Sequence, residues 1–303
     1  RYWKSKKIGH FSGYGLKGLG KTITTLTAVK ELKYNRFEVQ KILVIAPKKV
    51  AEGTWTKEKD KWEHTRMMRV SQILGSEAKR IRALNTPADL YIINRENVVW
   101  LVDYYRNAWP FDMVVIDESS SFKSHKAKRF KALASVSSRI GRMVELTGTP
   151  SPNGLEDLWA QVYLLDEGDR LGKRYTGFRE RYFDPGDRGQ NVVYNYKAKP
   201  GTEESILQKI SDICISMKAE DYLQLPDITY HEIPVELDSK SRKAYTELEY
   251  KMVLELPEDE EEISVTSAAA LSNKLLQLGN GAIYDETGTI MKYITVRSKH
   301  SWN

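Results

Sequence analysis

A stretch of eight residues has the types and spacing that bind phosphate groups. It runs from Gly15 to Thr22 and reads Gly-Leu-Lys-Gly-Leu-Gly-Lys-Thr, which is the pattern of a phosphate-binding loop. Glycines let the backbone curl so that several N–H groups point at phosphate oxygens. Lys21 would reach the terminal phosphates, and the Thr22 hydroxyl would bind Mg²⁺. We therefore predict that a magnesium-bound polyphosphate is held by Gly15, Gly18, Gly20, Lys21 and Thr22.

An acidic pair after an apolar run is the second candidate for chemistry. Asp117 and Glu118 directly follow Met113–Ile116. Asp117 can contact the Mg²⁺ held by Thr22, directly or through water, and Glu118 can polarise the water that attacks the γ-phosphate. The alternative is a strand-end acidic pair that caps a helix. Because the loop and the pair each supply what the other lacks, we predict catalytic roles for Lys21, Asp117 and Glu118, and metal ligands at Thr22 and Asp117.

Strands must position these residues, and four apolar runs fit that role. The runs are Ile42–Ala46, Leu90–Ile93, Met113–Ile116 and Met143–Leu146. Helical spacing of apolar residues separates most of them, over Trp55–Trp62, Ser76–Leu84 and Ala127–Ser138. Strands that alternate with helices predict an α/β fold, with a parallel sheet covered by helices on both faces.

The phosphate-binding loop needs a strand before it and a helix after it. Ile23, Leu26 and Val29 lie on one face of a predicted helix directly after Thr22. The segment before the loop, Phe11–Tyr14, is short and contains a glycine, so it matches a strand poorly. An ordinary glycine-rich turn before a helix is the alternative interpretation of this stretch.

The carboxyl ends of parallel strands share one edge of a sheet, where open α/β folds bind their ligands. A polar segment follows each predicted strand at that edge. These segments are Pro47–Lys49, Asn94–Glu96, Asp117–Glu118 and Thr147–Pro150, beside the loop that ends at Thr22. We therefore expect a single site there. Lys48 and Lys49 either contact phosphate in it or form a solvated turn.

Composition limits the class of protein. The chain has 303 residues, enough for two domains, and its net charge of +6 permits a nucleic-acid partner without requiring one. The single cysteine, Cys214, excludes an internal disulfide framework and fits a reducing setting. The longest apolar runs are far shorter than a membrane span, so we expect no membrane partner.

Two longer strings resemble a known family. Val114–Lys123 and Glu145–Pro150 are similar to the superfamily-two helicase motor, and more narrowly to the Swi/Snf-type DNA-dependent ATPases. Gly154–Asp166 and Gly177–Phe183 are similar to the compact bacteriophage branch of that family. The resemblance extends from about Gly15 to Tyr284. It implies a RecA-like ATP-binding lobe that begins with the phosphate-binding loop.

The resemblance also implies roles for matching residues. Lys21 and Thr22 would bind ATP and Mg²⁺, and the acidic pair would form the hydrolytic motif. Three residues, Thr147, Gly148 and Thr149, would couple the nucleotide state to DNA contact and lobe closure. Ser120 stands where many relatives have histidine. The residues that would line the track of one DNA strand are Lys48, Lys49, Asn94 and Arg95.

The expected organisation has three parts. We expect residues 1–165 to form the RecA-like lobe and residues 166–227 to form a linker or α-rich insertion. Basic and aromatic residues interleave in the second part, which either faces DNA or is solvated. Residues 228–303 begin a second lobe, with a strand over Ile228–Leu237 and helices over Ser239–Leu254 and Ser267–Leu278. A complete second lobe needs on the order of 150 residues. We therefore expect that lobe and its arginine finger to be incomplete here, and a separate chain to be a candidate partner that carries it.

Three functions fit this sequence. The resemblance favours an ATP-dependent DNA translocase or helicase, which would act on DNA in the cytoplasm of a bacterial or phage-infected cell. A small-molecule kinase of the phosphate-loop class would need an acceptor pocket and would have no use for Thr147–Pro150. A non-catalytic DNA-binding accessory subunit would keep the loop as a structural turn. Stimulation of ATP hydrolysis by DNA and the effect of Lys21→Ala on ATP binding distinguish the three.

Overall fold

In a computed structural model, the chain divides into two compact units, Arg1–Leu225 and Pro226–Asn303. The residues that the structure describes are 8–11, 20–149, 151–186, 195–215, 237, 239–251, 253–255, 262–264, 268–280, 282–284 and 290–292. No helix among them is both long enough and apolar enough to cross a membrane.

The first unit is built on a parallel sheet of seven strands in the order β3-β4-β2-β5-β6-β1-β9. Strands β7 and β8 form a separate antiparallel hairpin. Along the chain the strands are β1 (Ile8–Phe11), β2 (Ile42–Ala46), β3 (Val70–Ile73), β4 (Leu90–Asn94), β5 (Met113–Asp117), β6 (Arg142–Thr147), β7 (Phe183–Pro185), β8 (Tyr196–Ala198) and β9 (Cys214–Ile215).

Helices cover both faces of this sheet. Ile42 and Val44 of β2 are buried against one set of helices together with Leu26, whereas Leu43 and Ile45 are buried on the opposite face. This two-sided burial explains why the central strands are continuously apolar. The helices are α1 (Lys21–Lys30), α2 (Trp55–Lys61), α3 (Glu63–Arg66), α4 (Glu77–Asn85), α5 (Val98–Tyr105), α6 (Lys128–Val136), α7 (Leu158–Asp166), α8 (Tyr175–Tyr182) and α9 (Thr202–Ile210).

The α/β fold, the four apolar strands and the helices between them are confirmed. Three strands differ from expectation. Strand β1 covers Ile8–Phe11, ahead of the segment Phe11–Tyr14, and it pairs with β6 on one side and β9 on the other. Strand β3 contains Ser71 and Gln72, and β9 has two residues, so neither carries a long apolar run. These strands form because neighbouring strands supply their backbone partners, which a local pattern does not reveal.

The described part of the predicted insertion packs on the first unit. Phe178 of α8, Ile206 of α9 and Ile213 belong to the same buried cluster as Leu133 of α6. Strand β9 adds to the edge of the main sheet beside β1. Residues 166–186 and 195–215 therefore extend the core of the first unit, and the three-part division of the chain stays a prediction.

The second unit is small. Its cluster of buried residues consists of Ala244, Leu248, Leu278 and Ile283. The helix expected to reach Leu254 is wrong at its end, because residues 253–255 instead pair with a second strand as an antiparallel ladder. The strand expected over Ile228–Leu237 lies outside the described residues except at position 237. The elements are α10 (Ser239–Lys251), β10 (Val253–Glu255), β11 (Glu262–Ser264), α11 (Ala268–Gly279), β12 (Ala282–Tyr284) and β13 (Ile290–Lys292).

Candidate active site

The sheet brings the ends of its central strands together at one edge. Asp117, the last residue of β5, pairs with Leu146 of β6, and Thr147 at the end of β6 pairs with Phe11 at the end of β1. The chain leaves β1 at that edge and enters α1 at Lys21. Strand β1 therefore ends at the same edge as the acidic pair, and Gly15 and Gly18 of the predicted loop lie outside the described residues.

The start of α1 has the backbone that the loop pattern needs. Gly20 precedes the helix in the left-handed region, at φ 69° and ψ 17°, where a side chain would be strained. Lys21 and Thr22 form the first turn of α1 and are half-buried. The Lys21 ammonium lies beside Gly148, since a Cβ placed on Gly148 would be 3.9 Å from Lys21 Nζ. Lys21 thus faces the segment that follows β6.

Asp117 is a carboxyl group held in place by an indole. Trp55 of α2 is completely buried, and its Nε1 donates a hydrogen bond to Asp117 Oδ2 at 2.9 Å. Burial raises the pKa of Asp117, and the Trp55 hydrogen bond lowers it. The negative charge of Glu118 raises this pKa as well, whereas the positive charge of Lys21 lowers it. A further cation at this edge would offset the cost of ionising the carboxyl.

The oxygen groups at this edge fit Mg²⁺. Asp117 supplies a carboxylate and Thr22 a hydroxyl, and hard divalent cations prefer oxygen ligands. Asp117 Oδ2 accepts the hydrogen bond from Trp55. The chemistry of these two donors is therefore compatible with a magnesium ion that also binds phosphate oxygens.

Glu118 adopts a backbone conformation that is uncommon for a residue with a side chain. Its φ of 56° and ψ of 60° are left-handed, and its carbonyl accepts a hydrogen bond from the Ser121 N–H at 3.0 Å. A short 3-10 helix, Ser119–Phe122, follows, and both of its end residues are buried. Such strained residues cluster at functional sites, where the surroundings enforce the conformation. The buried turn thus holds Glu118 at the strand end, with its side chain half-buried.

A buried polar chain supports that turn. Ser119 Oγ donates to Gln161 Oε1 of α7 at 2.9 Å, and Gln161 Nε2 donates to the Asp157 carbonyl at 2.9 Å. Glu145 of β6 is completely buried beside Ser119, and burial raises its pKa well above the ordinary value. Burial therefore favours the neutral form of the Glu145 carboxyl. No role was predicted from the sequence for Ser119, Gln161 or Glu145. One signal was present, because Glu145 is an acid inside the otherwise apolar centre of the run Arg142–Thr147.

The predicted coupling residues lie at the end of β6. Thr147 is buried, and its Oγ1 accepts a hydrogen bond from the Thr149 N–H at 3.1 Å. Gly148 between them faces Lys21. Farther along the same segment, Asp157 accepts hydrogen bonds from the Asn153 N–H at 2.9 Å and from Lys123 Nζ at 3.2 Å. These bonds tie the segment after β6 to the segment after β5.

The predicted DNA-track residues lie on neighbouring strand ends, where Ala46 of β2 pairs with Asn94 of β4. Lys48 and Lys49 are exposed in the turn after β2. Asn94 is buried. Its Nδ2 donates a hydrogen bond to Glu96 Oε2 at 2.9 Å, and its Oδ1 accepts a hydrogen bond from Asn97 Nδ2 at 2.6 Å. Arg95 is half-buried and donates to Glu96 at 2.9 Å. The lysines can therefore contact a ligand directly, whereas Asn94 orders the turn that presents Arg95.

The chain is similar to several known proteins. A family model described as the SNF2-related domain matches residues 17–294. Putative protein p41 of Acyrthosiphon pisum secondary endosymbiont phage 1 is 39% identical over 275 residues, which is 89% of this chain and 59% of that protein. The human DNA annealing helicase and endonuclease ZRANB3 is 27% identical over 234 residues, which is 75% of this chain and 21% of that protein.

A solved structure confirms the α/β fold. The chain matches the Sulfolobus solfataricus SWI2/SNF2 ATPase core in complex with dsDNA, with a TM-score of 0.54 and 23% sequence identity. The match covers 80% of this chain and 47% of the solved chain. The chain thus spans about half of the solved core and between about a fifth and three fifths of the two relatives.

Proposed function

The chain belongs to the SNF2-related domain family, and on that premise we propose that it binds ATP with Mg²⁺ and hydrolyses it to move along DNA. One observation carries the proposal: Lys21, Asp117 and Gly148, from three separate elements, meet at the carboxyl edge of the sheet. An ordinary glycine-rich turn would not need a cation and a buried acid beside it.

Each residue at the edge has a role in this proposal. Gly20, with Gly15 and Gly18 before it, shapes the backbone that binds phosphates, and Lys21 contacts the terminal ones. Thr22 and Asp117 hold the metal ion. Mg²⁺, when bound, would neutralise negative charge on the phosphates. Glu118 accepts the proton of the attacking water, and the strained turn after β5 keeps its carboxylate at the strand end.

Contact with DNA is proposed for the neighbouring strand ends. Lys48 and Lys49 are exposed cations beside the candidate site, and Arg95 lies one strand farther along. Phosphate contacts by such residues position a protein on DNA without reading its sequence. Thr147, Gly148 and Thr149 would transmit the nucleotide state, because they lie between Lys21 and the segment tied to Lys123. The solved relative with double-stranded DNA supports DNA as the partner.

We expect the rate of hydrolysis to depend on a second lobe. The described strands of the second unit form only two-stranded antiparallel sheets. We propose that a second lobe, on this protein or on another chain, supplies an arginine to the γ-phosphate, a contribution worth roughly 10³- to 10⁵-fold in rate. We expect the protein to act in the cytoplasm of a bacterial or phage-infected cell.

ATP hydrolysis with and without DNA tests this function. The assay compares the chain with Glu118→Gln, which keeps the shape of the side chain but cannot accept the proton. We expect slow hydrolysis that DNA accelerates and that Glu118→Gln abolishes while ATP binding persists. Hydrolysis that is indifferent to DNA but rises with a small acceptor would instead indicate a kinase. Absence of ATP binding would indicate a non-catalytic accessory protein.

A further inference from the structure

A group of stacked aromatic and basic side chains lies on α8, the β7–β8 hairpin, α6 and the loop before α6. We call it the Arg179 patch, and it consists of His125, Lys126, Lys131, Tyr175, Arg179 and Tyr196. These residues are half-buried or exposed. The sequence predicted that basic and aromatic residues interleave here, and left open whether the segment faces DNA or solvent.

Aromatic rings fix the Arg179 guanidinium. It lies 4.0 Å from the ring centroid of Tyr196 and 5.5 Å from that of Tyr175. His125 stacks on Tyr175 with ring centroids 3.8 Å apart, and the buried Trp159 supports both rings edge-on. A guanidinium stacked on rings is preorganised, and its N–H edge remains able to bind two oxygens of one phosphate.

Positive charge exceeds negative charge at the patch. The side chains of Arg179, Lys126 and Lys131 form no hydrogen bond or ion pair within the described part of the chain. Glu156 accepts a hydrogen bond from Tyr175 at 2.6 Å and so places one negative charge beside these three cations, whereas Asp157 pairs with Lys123 at 3.2 Å.

The same cations act on His125. Burial lowers the pKa of His125, and the charges of Lys126, Arg179 and Lys131 lower it further, against a smaller opposing effect of Glu156. Cations close to a half-buried imidazole create a positive electrostatic potential, and a surface with such a potential attracts anions.

The geometry points to the Arg179 patch as a second DNA contact of this chain, where Arg179, Lys126 and Lys131 bind the phosphate backbone. This inference rests on the proposed function only in taking DNA as the partner. Stacked arginine and tyrosine beside free lysines match the chemistry of nucleic-acid surfaces, in which cations bind phosphates and rings accept bases. An acidic protein would satisfy the charges but would leave the stacked rings without a role.

Salt-dependent DNA binding tests the inference. Affinity for a labelled DNA is measured by fluorescence anisotropy over a range of salt concentrations, for the wild type and for the double variant Lys126→Gln/Lys131→Gln. Each lost phosphate contact lowers the slope of log affinity against log salt by about one. We therefore expect the slope to fall by about two and the affinity at low salt to fall by about tenfold or more. The matched control, Lys79→Gln/Lys209→Gln, removes two exposed lysines elsewhere and should leave both quantities unchanged.

Arg179→Lys separates charge from geometry. It keeps the positive charge but loses the planar fork, so we expect weaker DNA binding with an unchanged salt slope. Circular dichroism and ATP binding are recorded for every variant, and both should match the wild type. If DNA still binds and stimulates hydrolysis while the Arg179 patch variants behave like the control, the inference is wrong and the proposed function stands. If the patch variants instead lose only binding to polyglutamate, the surface binds acidic protein and the inference is overturned.

Discussion

Replacing Trp55 by phenylalanine removes one hydrogen bond from the candidate site. The indole Nε1 donates to Asp117 Oδ2 at 2.9 Å, and this bond favours the charged form of the carboxyl against the effect of burial. In Trp55→Phe, burial and the neighbouring Glu118 charge act without that opposition, so less of the metal-binding form is present. We therefore expect weaker Mg²⁺-dependent nucleotide binding.

The size of the effect follows from the type of bond. A hydrogen bond to a charged group contributes about 1.5–3 kcal/mol, and each 1.4 kcal/mol corresponds to about a tenfold change in an equilibrium constant. The Mg²⁺ concentration needed for half-maximal ATP binding should accordingly rise by about 10- to 100-fold. The same range is typical when a residue that orients a metal ligand is removed.

Trp109→Phe provides a matched control. Trp109 is also buried, and its Nε1 donates at 2.9 Å to the Phe111 carbonyl, away from the candidate site. Both variants lose an indole and one hydrogen bond, so both should lower the free energy of unfolding. Only Trp55→Phe should change the Mg²⁺ dependence, which is measured by titrating Mg²⁺ against fluorescent ATP. Equal Mg²⁺ dependence in the two variants would refute the role given to Asp117.

Three further predictions concern stability, and urea denaturation measures each of them. The folded state raises the pKa of Glu145 above its ordinary value of 4.5, so the folded chain keeps a proton that the unfolded chain loses. The free energy of unfolding should therefore decline above pH 4.5, by up to about 1.4 kcal/mol per pH unit. It should decline less steeply in Glu145→Gln, and equal pH dependence in the wild type and this variant would contradict the buried neutral carboxyl. Gln161→Leu removes the acceptor of the buried Ser119 hydroxyl and should cost about 1–3 kcal/mol, and a loss well below that range would contradict the buried bond. Gly20→Ala places a side chain at φ 69° and should cost about 1–2 kcal/mol. Gly177→Ala, inside α8 with open space around it, should instead stabilise by about 0.5–1 kcal/mol, and equal effects of the two glycine changes would refute the strain at Gly20.

The central sheet could be predicted because its strands are buried on both faces. Strands β2, β4 and β5 each read as a continuous apolar run, and the polar residues after them mark the carboxyl edge. This is why Asp117 and Glu118 could be placed beside the loop before Lys21. Strand β1, with a glycine and a histidine in four residues, carries no such signal and forms only through its two neighbours.

Contacts between distant parts of the chain could not be predicted. Trp55 is 62 residues from Asp117, and Ser119 is 42 residues from Gln161, yet each pair is joined by a hydrogen bond of 2.9 Å. No spacing rule links such residues, since their approach depends on how α2 and α7 pack on the sheet. The sequence therefore indicated which groups could act, whereas the structure shows which groups hold them.

Equilibrium binding of ATP tests the central claim most directly. A fluorescent ATP analogue is titrated with and without Mg²⁺ against the wild type, Lys21→Ala, and the control Lys30→Ala at the far end of the same helix. We predict Mg²⁺-dependent binding that Lys21→Ala abolishes and Lys30→Ala leaves intact. Binding of equal strength in Lys21→Ala and the wild type would contradict the assignment of this edge of the sheet as the nucleotide site.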